Sequence, residues 1–115
     1  MKEFNGEIEY KNRKYKLAFN LNVMEEIQNE YGSLDEWGAL TDSKKGEPNA
    51  KAIIFGFTQM INEGLEIECD ENGTEFKPLT LKQVGRMITD VGLDNATKTL
   101  NQTVIESTKS TEKNA

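Results

Sequence analysis

The segment Ala52-Ile53-Ile54-Phe55-Gly56-Phe57-Thr58-Gln59-Met60-Ile61 limits what this chain can fold into more than any other feature. Wound as a helix, it carries Ala52, Ile53, Ile54, Phe55, Phe57, Met60 and Ile61 around nearly its whole circumference. A helix that is apolar all round is stable in water only when other elements cover it. The run falls short of the ~18 consecutive apolar residues that would cross a bilayer. It predicts a buried spine helix from about Asn49 to Glu63, stopped by Gly64, with the rest of one small domain laid around it. A chain of 115 residues can bury such a core without disulfides or metal.

Upstream, the apolar pattern has a period of two. Phe4, Ile8 and Tyr10 alternate with Glu7 and Glu9. Tyr15, Leu17 and Phe19 alternate with Lys14, Lys16 and Ala18, beyond the polar turn Lys11-Asn12-Arg13-Lys14. This predicts a β-hairpin over about 4–19 with one buried face. A lone hairpin is marginal in water, so that face should lie on a helix. Helix signals follow. Asn22 with Glu25 resembles a capping box, Val23, Met24, Ile27 and Tyr31 recur at helical spacing, and Gly32 is placed to end the helix. Ser33-Leu34-Asp35-Glu36 is a full capping box, opening a short helix with Leu34, Trp37 and Leu40. Thr41 to Asn49 reads as a loop.

Leu65 to Pro78 is acidic, and Asn72-Gly73 is a two-residue turn signal, so the segment reads as a weak hairpin or a mobile loop. Thr80 with Gln83 caps a helix bearing Leu81, Val84, Ile88 and Val91, which Gly92 ends. Asp94 caps a last helix with Leu93, Ala96, Leu100 and Val104 in register. Apolar periodicity stops at Ile105. The expected architecture is mainly α. A single helical domain with an N-terminal hairpin spans 1–106, and a disordered tail rich in Ser, Thr and Lys spans 107–115.

The net charge of −6 has one location. From Ala52 to Phe76 there is no Lys or Arg, while Glu63, Glu66, Glu68, Asp70, Glu71 and Glu75 supply six acids, equal to the whole excess. Such a balance argues against binding a phosphate backbone and suits a basic protein partner. Lys11, Arg13, Lys14 and Lys16 interleave with Tyr10 and Tyr15, as in some single-strand binders. The tyrosines share the inward face, however, and Glu7 and Glu9 lie opposite, so cross-strand ion pairs account for the pattern better. No nucleic-acid or membrane partner is expected.

Catalysis finds little footing. The absence of histidine removes the commonest general base and metal ligand. The single cysteine, Cys69, sits between Glu68 and Asp70, which disfavour a thiolate. Glu68 to Gly73 resembles a calcium loop, but the first position is Glu68 rather than Asp and the twelfth is Leu79. Acids in a polar loop also lack the burial that tunes a catalytic carboxyl. The expectation is no enzymatic activity, no cofactor and no metal. Met1 to Gly6 shows no apolar run behind its charges, so no signal peptide is expected.

A protein without chemistry works by contact, and its anchors are large apolar side chains. Phe55 and Phe57 belong to the spine. Trp37, on a short capped helix, is the leading candidate. Tyr31, Trp37 and Met60 are expected to flank a partner-binding groove, with Trp37 as core the competing reading.

Several runs carry a family likeness. Lys16-Leu17-Ala18-Phe19-Asn20-Leu21-Asn22 leads into the helix ending at Tyr31-Gly32. Ala52-Ile53-Ile54-Phe55-Gly56-Phe57 and Asn62-Glu63-Gly64 follow, then Pro78-Leu79-Thr80-Leu81-Lys82-Gln83-Val84-Gly85-Arg86-Met87-Ile88. In this order and spacing the chain resembles the tail assembly chaperones of long-tailed (siphovirus-type) bacteriophages and prophages of Gram-positive bacteria, over roughly Tyr15 to Ile105. The resemblance implies a chaperone that binds the tape measure protein, keeps it soluble and helps recruit tail tube subunits. It implies action in the cytoplasm of the bacterial host and absence from the finished virion. It leaves room for self-association and for a longer, frameshifted product, and it supplies no catalytic residues. The competing reading is an acidic phage regulatory protein that binds and inhibits a DNA-binding factor, which would need its acids on a rigid surface.

Overall fold

The computed structural model describes residues 4–42 and 47–113, with side chains as far as Thr108. Its elements run β1 (Gly6–Tyr10), β2 (Arg13–Leu17), α1 (Leu21–Tyr31), α2 (Leu34–Thr41), α3 (Ala50–Asn72), α4 (Leu81–Val91) and α5 (Leu93–Lys113). The protein is mainly helical with an N-terminal antiparallel hairpin, as the patterning predicts. Helix α3 is the spine. Ala52, Ile53, Phe57, Met60 and Ile61 are fully buried, and α3 touches β2 and every other helix.

The spine is longer than its apolar run. It does not stop at Gly64 but continues to Asn72, so Glu66 to Cys69 are helical and form no strand. Gly64 lies inside the helix because β2 crosses there. A Cβ on Gly64 would run into the carbonyl oxygen of Lys16, and the Ala18 N–H donates to the Met60 carbonyl at 3.2 Å. A helical glycine costs roughly 0.5–1 kcal/mol, and here close backbone approach requires it. Asn72-Gly73 is the helix end rather than a hairpin turn. Gly73 adopts the left-handed conformation (φ 67°), and the N–H groups of Gly73 and Thr74 both reach the Cys69 carbonyl.

The hairpin turn is tighter than the polar run suggests. Lys11 and Asn12, at φ 51° and 63°, form a two-residue connection of the primed kind that matches strand twist. The register pairs Ile8 with Tyr15 and Gly6 with Leu17, and Ile8 and Leu17 are buried. The open end is closed by Asn5, whose N–H donates to the Leu17 carbonyl at 2.8 Å. Its side-chain oxygen accepts from the Phe19 N–H at 2.7 Å.

The helix starts are partly as expected. Ser33 caps α2 by accepting from the Glu36 N–H, and α4 has the complete Thr80–Gln83 capping box with Gly92 as its terminus. Helix α1 is capped by Asn20, which accepts from the Val23 N–H at 3.2 Å, and not by Asn22. Asn22 instead donates to the Glu63 carboxylate at 3.1 Å, beside Asn20 at 2.8 Å on the same oxygen. Helix α5 begins at Leu93, with Ala96 N–H bonded to the Gly92 carbonyl, so Asp94 lies in the first turn rather than capping it.

The boundary at 107 does not interrupt α5, which continues to Lys113. The hydroxyls of Thr103, Ser107 and Thr108 bond back to the carbonyls of Thr99 and Val104, so these polar residues follow the helix without an apolar stripe. Residues 43–46 of the expected loop and 114–115 of the expected tail lie outside the described residues.

Candidate functional site: an open groove between α3 and α4

The three residues expected to flank a groove do not line an open one. Met60 is fully buried and Trp37 is 3% exposed. The indole lies over Gly56, where any Cβ would collide with it, and its Nε1–H donates to the Ala52 carbonyl at 2.9 Å. The seam between α2 and α3 is therefore closed by its own tryptophan, and the reading of Trp37 as core holds. Tyr31 is half-buried and packs edge-to-face on Phe55, with ring centroids 5.6 Å apart. Its hydroxyl is shut off from water, with no hydrogen-bond partner among the described residues. Burial, with the charge of Glu30 next to it, raises the Tyr31 pKa above the usual phenol value.

An open apolar groove does exist, one helix over. It has a volume of 780 Å³ and runs between α3 and α4. One wall is the α3 stripe Lys51, Ile54 and Phe55, at i, i+3 and i+4; the other is the α4 stripe Leu81, Gly85 and Thr89, at i, i+4 and i+8. The buried face of α4 is Val84, Met87 and Ile88. Gly85 follows Val84 by one residue, about 100° around the helix, and so stands beside the packed face rather than in it. Leu81 is 52% exposed.

A Cβ on Gly85 would make only an ordinary 3.5 Å contact with Ile54 Cδ1, so packing inside the molecule does not require a glycine there. Gly38 also has space around it but does not line the groove. The rim carries Glu30, Lys51, Lys82 and Arg86; Lys51 and Glu30 pair at 3.6 Å.

The position of α4, and hence the groove, is set by Asn62. From α3 its amide donates to the Leu79 carbonyl at 3.0 Å and accepts from the Leu79 N–H at 2.8 Å. This two-bond clamp fixes the chain one residue before the Thr80 cap. The run Asn62-Glu63-Gly64 thus holds three joints in sequence: Asn62 seats α4, Glu63 receives Asn20 and Asn22 at the start of α1, and Gly64 admits β2.

Other candidate chemistry is placed as follows. Glu25, Glu26, Glu63 and Glu66 border a smaller cleft of 380 Å³ with Phe76 and Pro78. Glu66, Asp70 and Glu71 are exposed on α3 rather than in a loop. Among the described residues, no three of His, Cys, Asp and Glu come together to hold a metal ion. Cys69 is half-buried, its Sγ 3.5 Å from the Glu75 carbonyl. On the hairpin, Lys11 lies over Tyr10, Arg13 over Tyr15 and Lys16 over Phe4, while Lys14 pairs with Glu7 at 3.8 Å. Its cations already cover its own aromatic rings. No helix among the described residues is long and apolar enough to cross a membrane.

Sequence reasoning missed Ile54, Phe55, Leu81 and Gly85 as a surface. The available signal was a glycine in mid-helix, four residues after Leu81; spacing puts that leucine in the stripe with Val84, Ile88 and Val91, yet it is exposed. No protein-family model, curated protein or solved structure matches the chain.

Proposed function

We propose that the protein is a phage tail assembly chaperone. It binds amphipathic helical segments of a tape measure protein, keeps them soluble, and releases them as tail tube subunits assemble. The α3–α4 groove is the observation that carries this reading. It offers Ile54, Phe55 and Leu81 as an apolar floor, a glycine where a client helix can come close, and a charged rim. An amphipathic helix docks in such a groove through residues at i, i+3, i+4 and i+7. Two turns of α4, from Leu81 to Thr89, offer about 12 Å of matching length. A shallow groove gives modest affinity per copy, which suits a chaperone acting in many copies and displaced by a polymerising partner. The order of motifs from Lys16 to Ile88 supplies the client's identity by resemblance.

The test is co-expression with a phage tape measure protein and a tail tube protein. The tape measure protein should stay soluble and co-purify with the wild-type chain. Gly85→Leu, which fills the groove, should abolish co-purification while its helical circular dichroism persists. A tape measure protein that remains insoluble beside the wild-type protein refutes the chaperone reading. Undiminished capture by Gly85→Leu moves the site elsewhere.

A second reading has a specific observation in its favour. The acids Glu66, Asp70 and Glu71 stand on a helix, so the rigid display that an inhibitor of a DNA-binding factor would need is available. Co-purification of a basic DNA-binding protein, lost on replacing these acids with glutamine, would support it over the chaperone.

A further inference from the structure

We infer that the occupant of the α3–α4 groove is an amphipathic helix whose apolar face is flanked by acidic residues one turn apart. This rests on the groove being the client site and specifies the client's chemistry. The chain carries a net charge of −6, yet its open apolar groove is bordered by Lys51, Lys82 and Arg86 against Glu30 alone. Lys51 pairs with Glu30 of α1 at 3.6 Å. Lys82 and Arg86 are exposed and form no ion pair with any described residue.

Lys82 and Arg86 lie at i and i+4 on α4, about 6 Å apart along the helix axis. A client helix lying along α4 with acids at its own i and i+4 positions meets both cations at once. A lysine-flanked helix meets two like charges instead. Arg86 adds a planar fork suited to a carboxylate. The acids Glu25, Glu26, Glu63 and Glu66 around the smaller cleft, further along α3, repel the same client and direct it to this groove.

Two synthetic peptides of one apolar pattern, one flanked by glutamates at i and i+4 and the other by lysines, test this by fluorescence anisotropy. The glutamate peptide should bind about tenfold more tightly at low salt, from two pairs gained against two like-charge contacts. The difference should shrink as salt rises. The double variant Lys82→Glu, Arg86→Glu should invert the preference, and Gly85→Leu should abolish binding of the glutamate peptide. Equal affinities, or a preference for the lysine peptide, overturn the charge inference and leave groove capture standing. Binding of neither peptide overturns the groove itself. Self-association of the wild-type chain that Gly85→Leu removes would assign the groove to a second copy, and would also overturn the inference.

Discussion

Gly56 on α3 and Gly85 on α4 are helical glycines with opposite surroundings. Over Gly56 the Trp37 ring occupies the place a side chain would take, is 3% exposed, and adds a hydrogen bond to Ala52. Over Gly85 an added Cβ would meet one methyl at 3.5 Å and otherwise face the groove. Each glycine costs its helix about 0.5–1 kcal/mol relative to alanine. At Gly56 the indole's burial offsets that cost within the molecule. At Gly85 no described residue does. The first seam serves stability, and the second stays open. The difference also separates two settings of an apolar residue beside a glycine: one is closed core, the other an open groove.

The largest effect should come from opening the closed seam. Trp37→Ala removes a buried indole and the hydrogen bond its Nε1–H gives the Ala52 carbonyl, so it should cost about 3–5 kcal/mol in denaturant melts. A loss below ~1 kcal/mol would mean that the indole is not core, and the comparison would collapse. Gly56→Ala attacks the same seam from the other side. A methyl there collides with a ring that has no room to move, and overpacking costs about 1–3 kcal/mol, more than the helix propensity alanine returns. The midpoint of unfolding should fall. A rise would show that Trp37 can shift without loss.

The closed seam was partly legible in the sequence, and the groove was not. The apolar run Ala52 to Ile61 foretold the spine because a helix apolar on nearly every face must be largely covered, although Ile54 and Phe55 stay half-buried at the groove. Thr80 with Gln83 and Ser33 with Glu36 were readable because a cap is a local bond between near neighbours. Gly64 misled because a glycine allows both a helix stop and a close crossing, and only the path of β2 decides between them. The same ambiguity made Asn72-Gly73 look like a hairpin turn when it ends a helix. Asn20 displaced Asn22 as a cap because Glu63, some forty residues away, engages both amides. Tyr31, Trp37 and Met60 formed a plausible groove by spacing, but spacing does not say whether a tryptophan fills its own gap. The true groove depends on the Asn62 clamp at Leu79, a long-range contact with no periodic signature.

The same substitution at the other glycine should have the opposite sign. Gly85→Ala places a methyl at an ordinary contact distance, so the helix gains without a clash. Stability should rise by about 0.5–1 kcal/mol. Client binding should weaken at the same time, because the methyl occupies groove space. A stabilised protein with undiminished binding would separate Gly85 from the docking surface, and a destabilised one would mean that Ile54 has less freedom than its position suggests. Paired with Gly56→Ala, this variant sharpens the contrast to one methyl in two settings.

The smallest effect belongs to Tyr31, which borders the groove through Phe55. Its hydroxyl is cut off from water and has no hydrogen-bond partner among the described residues. Removing an unpartnered polar atom relieves a desolvation cost, while removing a satisfied one would expose a loss. Tyr31→Phe should therefore lie within about 0.5 kcal/mol of wild type at neutral pH, on the stabilising side. The sign changes with alkali. Burial and then Glu30 raise the folded-state pKa of Tyr31, whereas the unfolded phenol titrates near ~10. Below that pH the group is protonated in both states and contributes no pH dependence. Above it the unfolded chain gives up the proton first, so wild-type stability should fall as pH rises through the folded-state value. Tyr31→Phe lacks this component, and the gap between the two proteins should widen above pH ~10. Parallel curves would mean that the phenolate is tolerated where it stands. A neutral-pH loss above ~1 kcal/mol would mean that the hydroxyl has a partner, and that the edge of the groove is more tightly closed than its packing implies.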